Sequence, residues 1–171
     1  MSAWSEHFLA MAQLCAEKSK DPSTKVGAVI VGPDHEVRST GYNDFPRGVA
    51  DRIDERRERP AKYLYTEHAE RNAIYNAARV GIPVKGCALY LNWEPKLCAD
   101  CARAVIQAGI VRVIGGDRPF PGHKPTWEES CRVGYEMLVE AGVDVDLVGC
   151  GPRTPTEPET TFIPSCSEIE Q

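Results

Sequence analysis

Four side chains equipped for chemistry stand in two short clusters: His68 and Glu70 in His68-Ala69-Glu70, and Cys98 and Cys101 in Cys98-Ala99-Asp100-Cys101. A Cys-x-x-Cys pair at a helix start turns both sulfurs toward one ion, and the positive end of the helix dipole favours their thiolate forms. An imidazole from a neighbouring helix, here His68, completes a set of three ligands. Three protein ligands leave the fourth tetrahedral position to water, which marks a catalytic zinc site rather than a closed structural one. Zinc lowers the pKa of such a water toward about 7. Glu70, two residues from His68, reaches the same space without being a ligand and can move protons there. A structural zinc site would need a fourth ligand, and no further Cys or His stands at ligand spacing nearby.

These groups need elements to position them. Residues 3–19 read as an amphipathic helix carrying Trp4, Phe8, Met11, Ala12 and Cys15 on one face. Lys25–Val31 and Val37–Tyr42 read as strands joined by a hairpin at Gly32-Pro33-Asp34. A polar connection covers 43–62, long enough to expect a functional or mobile segment. Thr66–Arg79 reads as a helix with Thr66 as N-cap. A strand at Ala88–Leu91, a helix over 99–108 ended by Gly109, a strand at 111–114, a helix over 126–141 and a strand at 143–148 follow. Strands alternating with helices in the second half imply an α/β fold with a partly parallel sheet and helices on both faces. The expected domain spans 1–150. From Gly151 on, four prolines interleaved with Thr, Ser and Glu read as a disordered tail.

Length and composition agree with one globular domain: 171 residues, 42% hydrophobic and 26% charged. The first fifteen residues lack the pattern of a signal peptide, and no apolar run approaches the roughly 20 residues that span a bilayer. A cytoplasmic protein without membrane partners is therefore expected. The net charge of −5 argues against gripping a long phosphate backbone, although one or two placed cations would hold a small phosphorylated ligand. Cys15, Cys87, Cys131 and Cys150 stand in apolar surroundings and read as core residues.

Zinc nucleobase deaminases carry H-x-E followed by P-C-x-x-C. At HAE and CADC, and at the segments DPSTKVGAVIV, GYNDFPRG, KGCALYL and CARAVIQAGI, the chain resembles the deoxycytidylate deaminases of the cytidine deaminase superfamily, from about Asp21 to Val148. The resemblance implies a three-layer αβα sandwich around a five-stranded mixed sheet, one Zn2+, and a homo-oligomer. It implies conversion of dCMP to dUMP, with Asn43 contacting the sugar. Val26, Ala69, Arg47 and Trp93 join Asn43 as candidate substrate contacts. Each has a plainer reading: Asn43 as a turn residue, Trp93 as core, and Arg47 as one of several cations in a solvated run with Asp51, Asp54, Glu55 and Glu58.

Two positions depart from the family pattern. Lys96 and Leu97 separate Pro95 from Cys98, where the family sets Pro directly before Cys, and the preceding Glu94-Pro95 resembles guanine and tRNA-adenosine deaminases. Asp44 replaces a small residue after Gly-Tyr-Asn, and a carboxylate beside a phosphate pocket must be turned away or paired. Deamination of a free base or nucleoside (guanine, cytosine or a modified pyrimidine) by the same zinc site is the alternative. Editing of a polynucleotide and a non-catalytic zinc module are the rivals of other classes; the acidic charge and Glu70 respectively speak against them.

Overall fold

The computed structural model describes residues 3–119 and 125–148. Helix α1 (Ala3–Ala16) leads into the hairpin β1 (Gly27–Val31) and β2 (Val37–Tyr42), then the short α2 (Lys62–Tyr65) and α3 (Ala69–Val80). There follow β3 (Ala88–Leu91), α4 (Ala99–Gln107), β4 (Arg112–Gly116), α5 (Pro125–Glu140) and β5 (Asp144–Val148). The strands form one sheet in the order β2-β1-β3-β4-β5. β1 runs antiparallel to β2 and β3, while β3, β4 and β5 are parallel. The α/β architecture with a five-stranded mixed sheet is the one expected.

Alternation along the strands sorts the core into two layers. Ala28 and Ile30 of β1 face Leu89, Leu91 and Val113 together with Ala69, Ala73 and Ala77 of α3 and Ala102 and Val105 of α4. Val29 and Val31 face the other way, onto Phe8 and Ala12 of α1, with Tyr90 and Ile114. Burial of each Leu, Ile or Val side chain contributes about 1.5–3 kcal/mol, so both layers hold the central strand. Trp4 stacks on His35 with ring centroids 4.5 Å apart, fixing α1 to the hairpin turn.

Several boundaries differ from the sequence expectation. α1 ends at Ala16, because the N–H groups of Glu17, Lys18 and Ser19 bond three residues back and tighten the last turn. β1 begins at Gly27, since side chains claim the preceding backbone: Asn43 Oδ1 accepts from Val26 N at 2.7 Å and Lys25 O accepts from Trp93 Nε1 at 2.8 Å. Thr66 is not an N-cap but the extended residue that closes α2. An antiparallel bridge between Asp44 and Glu67 draws this segment out straight, so α3 starts only at Ala69 with His68 as its extended N-cap. The expected tail from Gly151, and Cys150 before it, lie outside the described residues.

α3 lies against the hairpin at van der Waals limits. A Cβ on Gly41 would fall 2.3 Å from Ala69 O and 2.4 Å from Ala73 N. Gly41→Ala is therefore expected to destabilise by about 3 kcal/mol through overpacking against backbone, whereas Gly116→Ala, which meets nothing within 4 Å, changes stability by less than about 0.5 kcal/mol. Thermal unfolding of the two variants beside the parent checks the contrast.

Candidate active site

The N-caps of two neighbouring helices carry the candidate ligands. His68 precedes α3, Cys98 precedes α4, and Cys101 lies in the first turn of α4. His68 Nδ1 is 3.5 Å from Cys98 Sγ and 3.3 Å from Cys101 Sγ. Among the described residues this is the one group of three or more His, Cys or acidic side chains whose ligand atoms lie within 4.8 Å of one another. One imidazole and two thiols form the borderline-soft donor set that zinc prefers. The Cys98 thiol is drawn down to about 4, first by its hydrogen bond with Cys101 and then, against the effect of burial, by His68. Cys101 is pushed up as the partner in that bond and by its own burial.

Glu70, in the first turn of α3, is 7% exposed. Burial pushes its carboxyl above the ordinary range, against the pull of His68. It faces a cavity of 490 Å³ that also takes in His68 and Cys98. That volume suits a small ligand. Val26, Asn43, Ala69 and Trp93 line the same space. Ala69 is the first residue of α3, so its N–H has no acceptor within the helix. The Asn43 side chain clamps the chain opposite: Oδ1 accepts from Val26 N and Nδ2 donates to Thr24 O at 2.9 Å. Arg47 is placed elsewhere. It is exposed, outside the cavity lining, and donates to Asn76 Oδ1 at 2.6 Å.

The cavity also collects Lys62, from the run of interleaved cations, together with Asp21 and Trp127. Lys62 Nζ donates to Asp21 Oδ1 at 3.0 Å, Asp21 Oδ2 at 2.7 Å and Ser23 Oγ at 2.7 Å, which uses all three of its protons. Burial alone would raise the Asp21 pKa, but the bonds from Lys62 and Ser23 hold it below the usual carboxylate range. Trp127 of α5 packs against the His68 ring, centroids 5.5 Å apart. The Lys96-Leu97 departure is absorbed by burial. Leu97 enters the core, Lys96 pairs with Glu94 at 3.2 Å, and the backbone of Trp93 and Pro95 presses on Gly115. Asp44 is paired and turned away, as a carboxylate there must be: its Oδ1 takes Arg57 Nη2 at 3.1 Å and it does not line the cavity. Asp21, Ser23 and Lys62 are brought together, and Trp127 is set on His68, only by the tertiary fold.

Comparison with known proteins bears on this geometry. The sequence model of the cytidine and deoxycytidylate deaminase zinc-binding region matches residues 2–116. The chain belongs to this deaminase family. The deoxycytidylate deaminase of Homo sapiens is 42% identical over 171 residues, covering 97% of this chain and 83% of the human protein. ComE operon protein 2 of Bacillus subtilis is 36% identical over 153 residues, covering 85% of this chain and 71% of that protein. The fold is shared with the dCMP deaminase of cyanophage S-TIM5 in its complex with dCMP and dUMP (TM-score 0.67, 24% identity, covering 86% of this chain and 99% of that one). This deaminase is accordingly a zinc enzyme, with His68, Cys98 and Cys101 as the donor set that fits the metal. Among the described residues of the deaminase no helix is long and apolar enough to cross a membrane.

The buried pair of Asp21 and Lys62 generates two expectations. Lys62→Met leaves a buried carboxylate without its partner and costs about 3–5 kcal/mol, read by denaturant unfolding. Asp21 has a folded pKa below its unfolded value of 3.8, so its contribution is present above that pH and is lost as pH falls through the lower, folded value. The stability gap between the parent and Asp21→Asn should therefore hold from neutral pH down to about 4–5 and narrow below it; a gap that widens in acid would contradict the pairing.

Proposed function

We propose that this deaminase converts deoxycytidylate (dCMP) and water to dUMP and ammonia. The observation that carries the reading is the placement of buried Glu70 beside His68 and Cys98 in one cavity, with Cys101 completing the donor set behind them. Similarity to the human deoxycytidylate deaminase over 97% of the chain supports the choice of substrate. When bound, zinc supplies a Lewis acid that makes water nucleophilic near neutral pH. Glu70 takes one proton from that water and delivers it to ring nitrogen N3, where it stays in the uracil product. It carries the second proton to the amine on C4, which leaves as ammonia, so both protons of the water are accounted for. The free N–H of Ala69 is available to the ring carbonyl O2. Asn43, whose side chain has one N–H beyond its bond to Thr24, is available to the sugar.

Two coarser features accompany this reading. None of Cys15, Cys87, Cys98, Cys101 and Cys131 is in a disulfide, which fits the reducing cytoplasm. Leu64, 89% exposed beside half-exposed Tyr63 at the cavity rim, supports association of copies into a homo-oligomer, which light scattering on the purified protein measures.

Ammonia release tests the reading directly, with dCMP, CMP, deoxycytidine, cytosine, guanine and a short single-stranded DNA supplied in parallel. dCMP is expected to exceed deoxycytidine by a hundredfold or more in kcat/KM, about 2.7 kcal/mol of transition-state binding. Turnover of a base or nucleoside with dCMP inert would move the chain to another branch of the family. Glu70→Gln should lower kcat by about a hundredfold or more while metal analysis finds zinc retained; full activity in that variant would overturn the proton-transfer role.

A further inference from the structure

α5 packs on α4, and one of its faces meets the segments that carry the metal donors. Trp127, Ser130, Cys131, Gly134 and Leu138 recur at helical spacing on that face. Cys131 and Leu138 are buried. Gly134 lies so close that a Cβ there would fall 2.4 Å from Leu97 O, 3.1 Å from Cys98 C and 3.3 Å from Ala99 N. The backbone on both sides of Cys98 thus rests on α5. Trp127 and Ser130, from the first half of the helix, reach the cavity itself.

Ser130 meets a need of α4 that its own N-cap residue leaves open. An N-cap side chain serves the second or third N–H of a helix, not the first. The Cys98 sulfur is in any case turned to His68, 3.5 Å from Nδ1. Ala99 is the first residue of α4, so its N–H has no acceptor inside the helix. Ser130 Oγ accepts from it at 3.1 Å. The peptide that follows Cys98 is thereby tied to α5. Trp127 bears on the third donor. A histidine that binds metal through one ring nitrogen is ordinarily oriented by a hydrogen bond from the other. His68 turns Nδ1 to the two sulfurs, and among the described residues its Nε2 has no hydrogen-bond partner. The imidazole is met instead by the Trp127 ring, 5.5 Å away between centroids and inclined at 56°, within the range of aromatic pairs.

We propose that Trp127 and Ser130 are positioning residues of the zinc site. Trp127 fixes the imidazole of His68, Ser130 fixes the backbone that carries Cys98, and α5 thereby sets how tightly the donors hold the metal. The proposal goes beyond the choice of substrate, since it concerns how the donors are held whichever base is deaminated. Outer partners of metal ligands are worth about tenfold to a hundredfold in metal affinity.

The test is the zinc affinity of the full chain, read by competition with a chromogenic chelator and without nucleotide. The proteins compared are the parent, Trp127→Leu, Trp127→Phe, Ser130→Ala and Leu138→Val, with thermal unfolding of each zinc-loaded form alongside. Trp127→Leu and Ser130→Ala should each bind zinc about tenfold or more weakly than the parent. Trp127→Phe, which keeps an aromatic ring against His68, should recover most of that loss. Leu138→Val, further along the same face, thins the core and should lower the unfolding temperature while zinc affinity stays at the parental value. If Trp127→Leu or Ser130→Ala holds zinc within about twofold of the parent, its residue is struck from the assignment. If Leu138→Val weakens zinc as much as they do, the effect is general loss of stability and the proposal fails. Should Trp127→Leu not fold, Ser130→Ala decides. Either result leaves the dCMP reading standing, because ammonia release tests that separately.

Discussion

The carbonyl oxygen of Ala69 occupies the place where a side chain at position 41 would have to go. This approach of α3 to the hairpin sets the depth at which His68 and Glu70 enter the cavity. The other walls are set in the same manner. Gly115 of β4 admits the backbone of Trp93 and Pro95, and Gly134 of α5 admits Leu97 O, which a Cβ would meet at 2.4 Å. Three glycines on three elements thus let backbone rest on backbone around the metal donors. A site built this way has little slack, because packed interiors relax only partly around a change of volume. The short extended stretch at 66–68, held by the Asp44–Glu67 bridge, then delivers the imidazole from the edge of the helix and not from its side.

Electrostatics within this frame follow from the need to keep charged groups buried without leaving them alone. Asp21 with Lys62, Asp44 with Arg57 and Glu94 with Lys96 each place a carboxylate and a cation together at low exposure. Such pairs add little net stability over apolar substitutes, but they fix geometry, since removing either partner is costly. The first joins the end of the 43–62 connection to the segment before β1, the second closes the connection on itself, and the third holds the turn before Cys98. Glu70 stands apart from these pairs. Its carboxyl is raised by burial and tempered by His68, the condition that suits a group which must both accept and release protons.

Much of this was legible in the sequence, and the reasons differ by feature. The donor set could be read because Cys-x-x-Cys and H-x-E place ligands by local helix geometry, which needs no knowledge of the fold. The strands of the hairpin and the parallel half of the sheet could be read from apolar periodicity and from glycines at helix ends. Thr66 misled because a good capping residue stood before a helical pattern, while a tertiary bridge at Glu67 overrode the local preference. Arg47 misled for a related reason: in a run of interleaved charges nothing local distinguishes the cation that bonds Asn76 from the one that faces the cavity. The triad of Asp21, Ser23 and Lys62 joins residues some forty positions apart, a separation that periodicity cannot bridge.

The position of β1 has a consequence for biosynthesis. It lies between β2 and β3, with Val29 beside Thr40 on one side and Tyr90 on the other. Its first neighbour is made at once, but the second emerges only after the whole 43–62 connection and α3 have left the ribosome. At about 5–20 residues per second the wait lasts seconds, during which the apolar segment GAVIV shows an open strand edge to other nascent chains. The connection that follows β2 carries Asp51, Asp54, Glu55 and Glu58 among its arginines, charges of the kind that oppose edge-to-edge pairing. The segment that contributes Asn43, Arg59 and Lys62 to the cavity is thus also the stretch whose length sets how long the edge of β1 waits for β3.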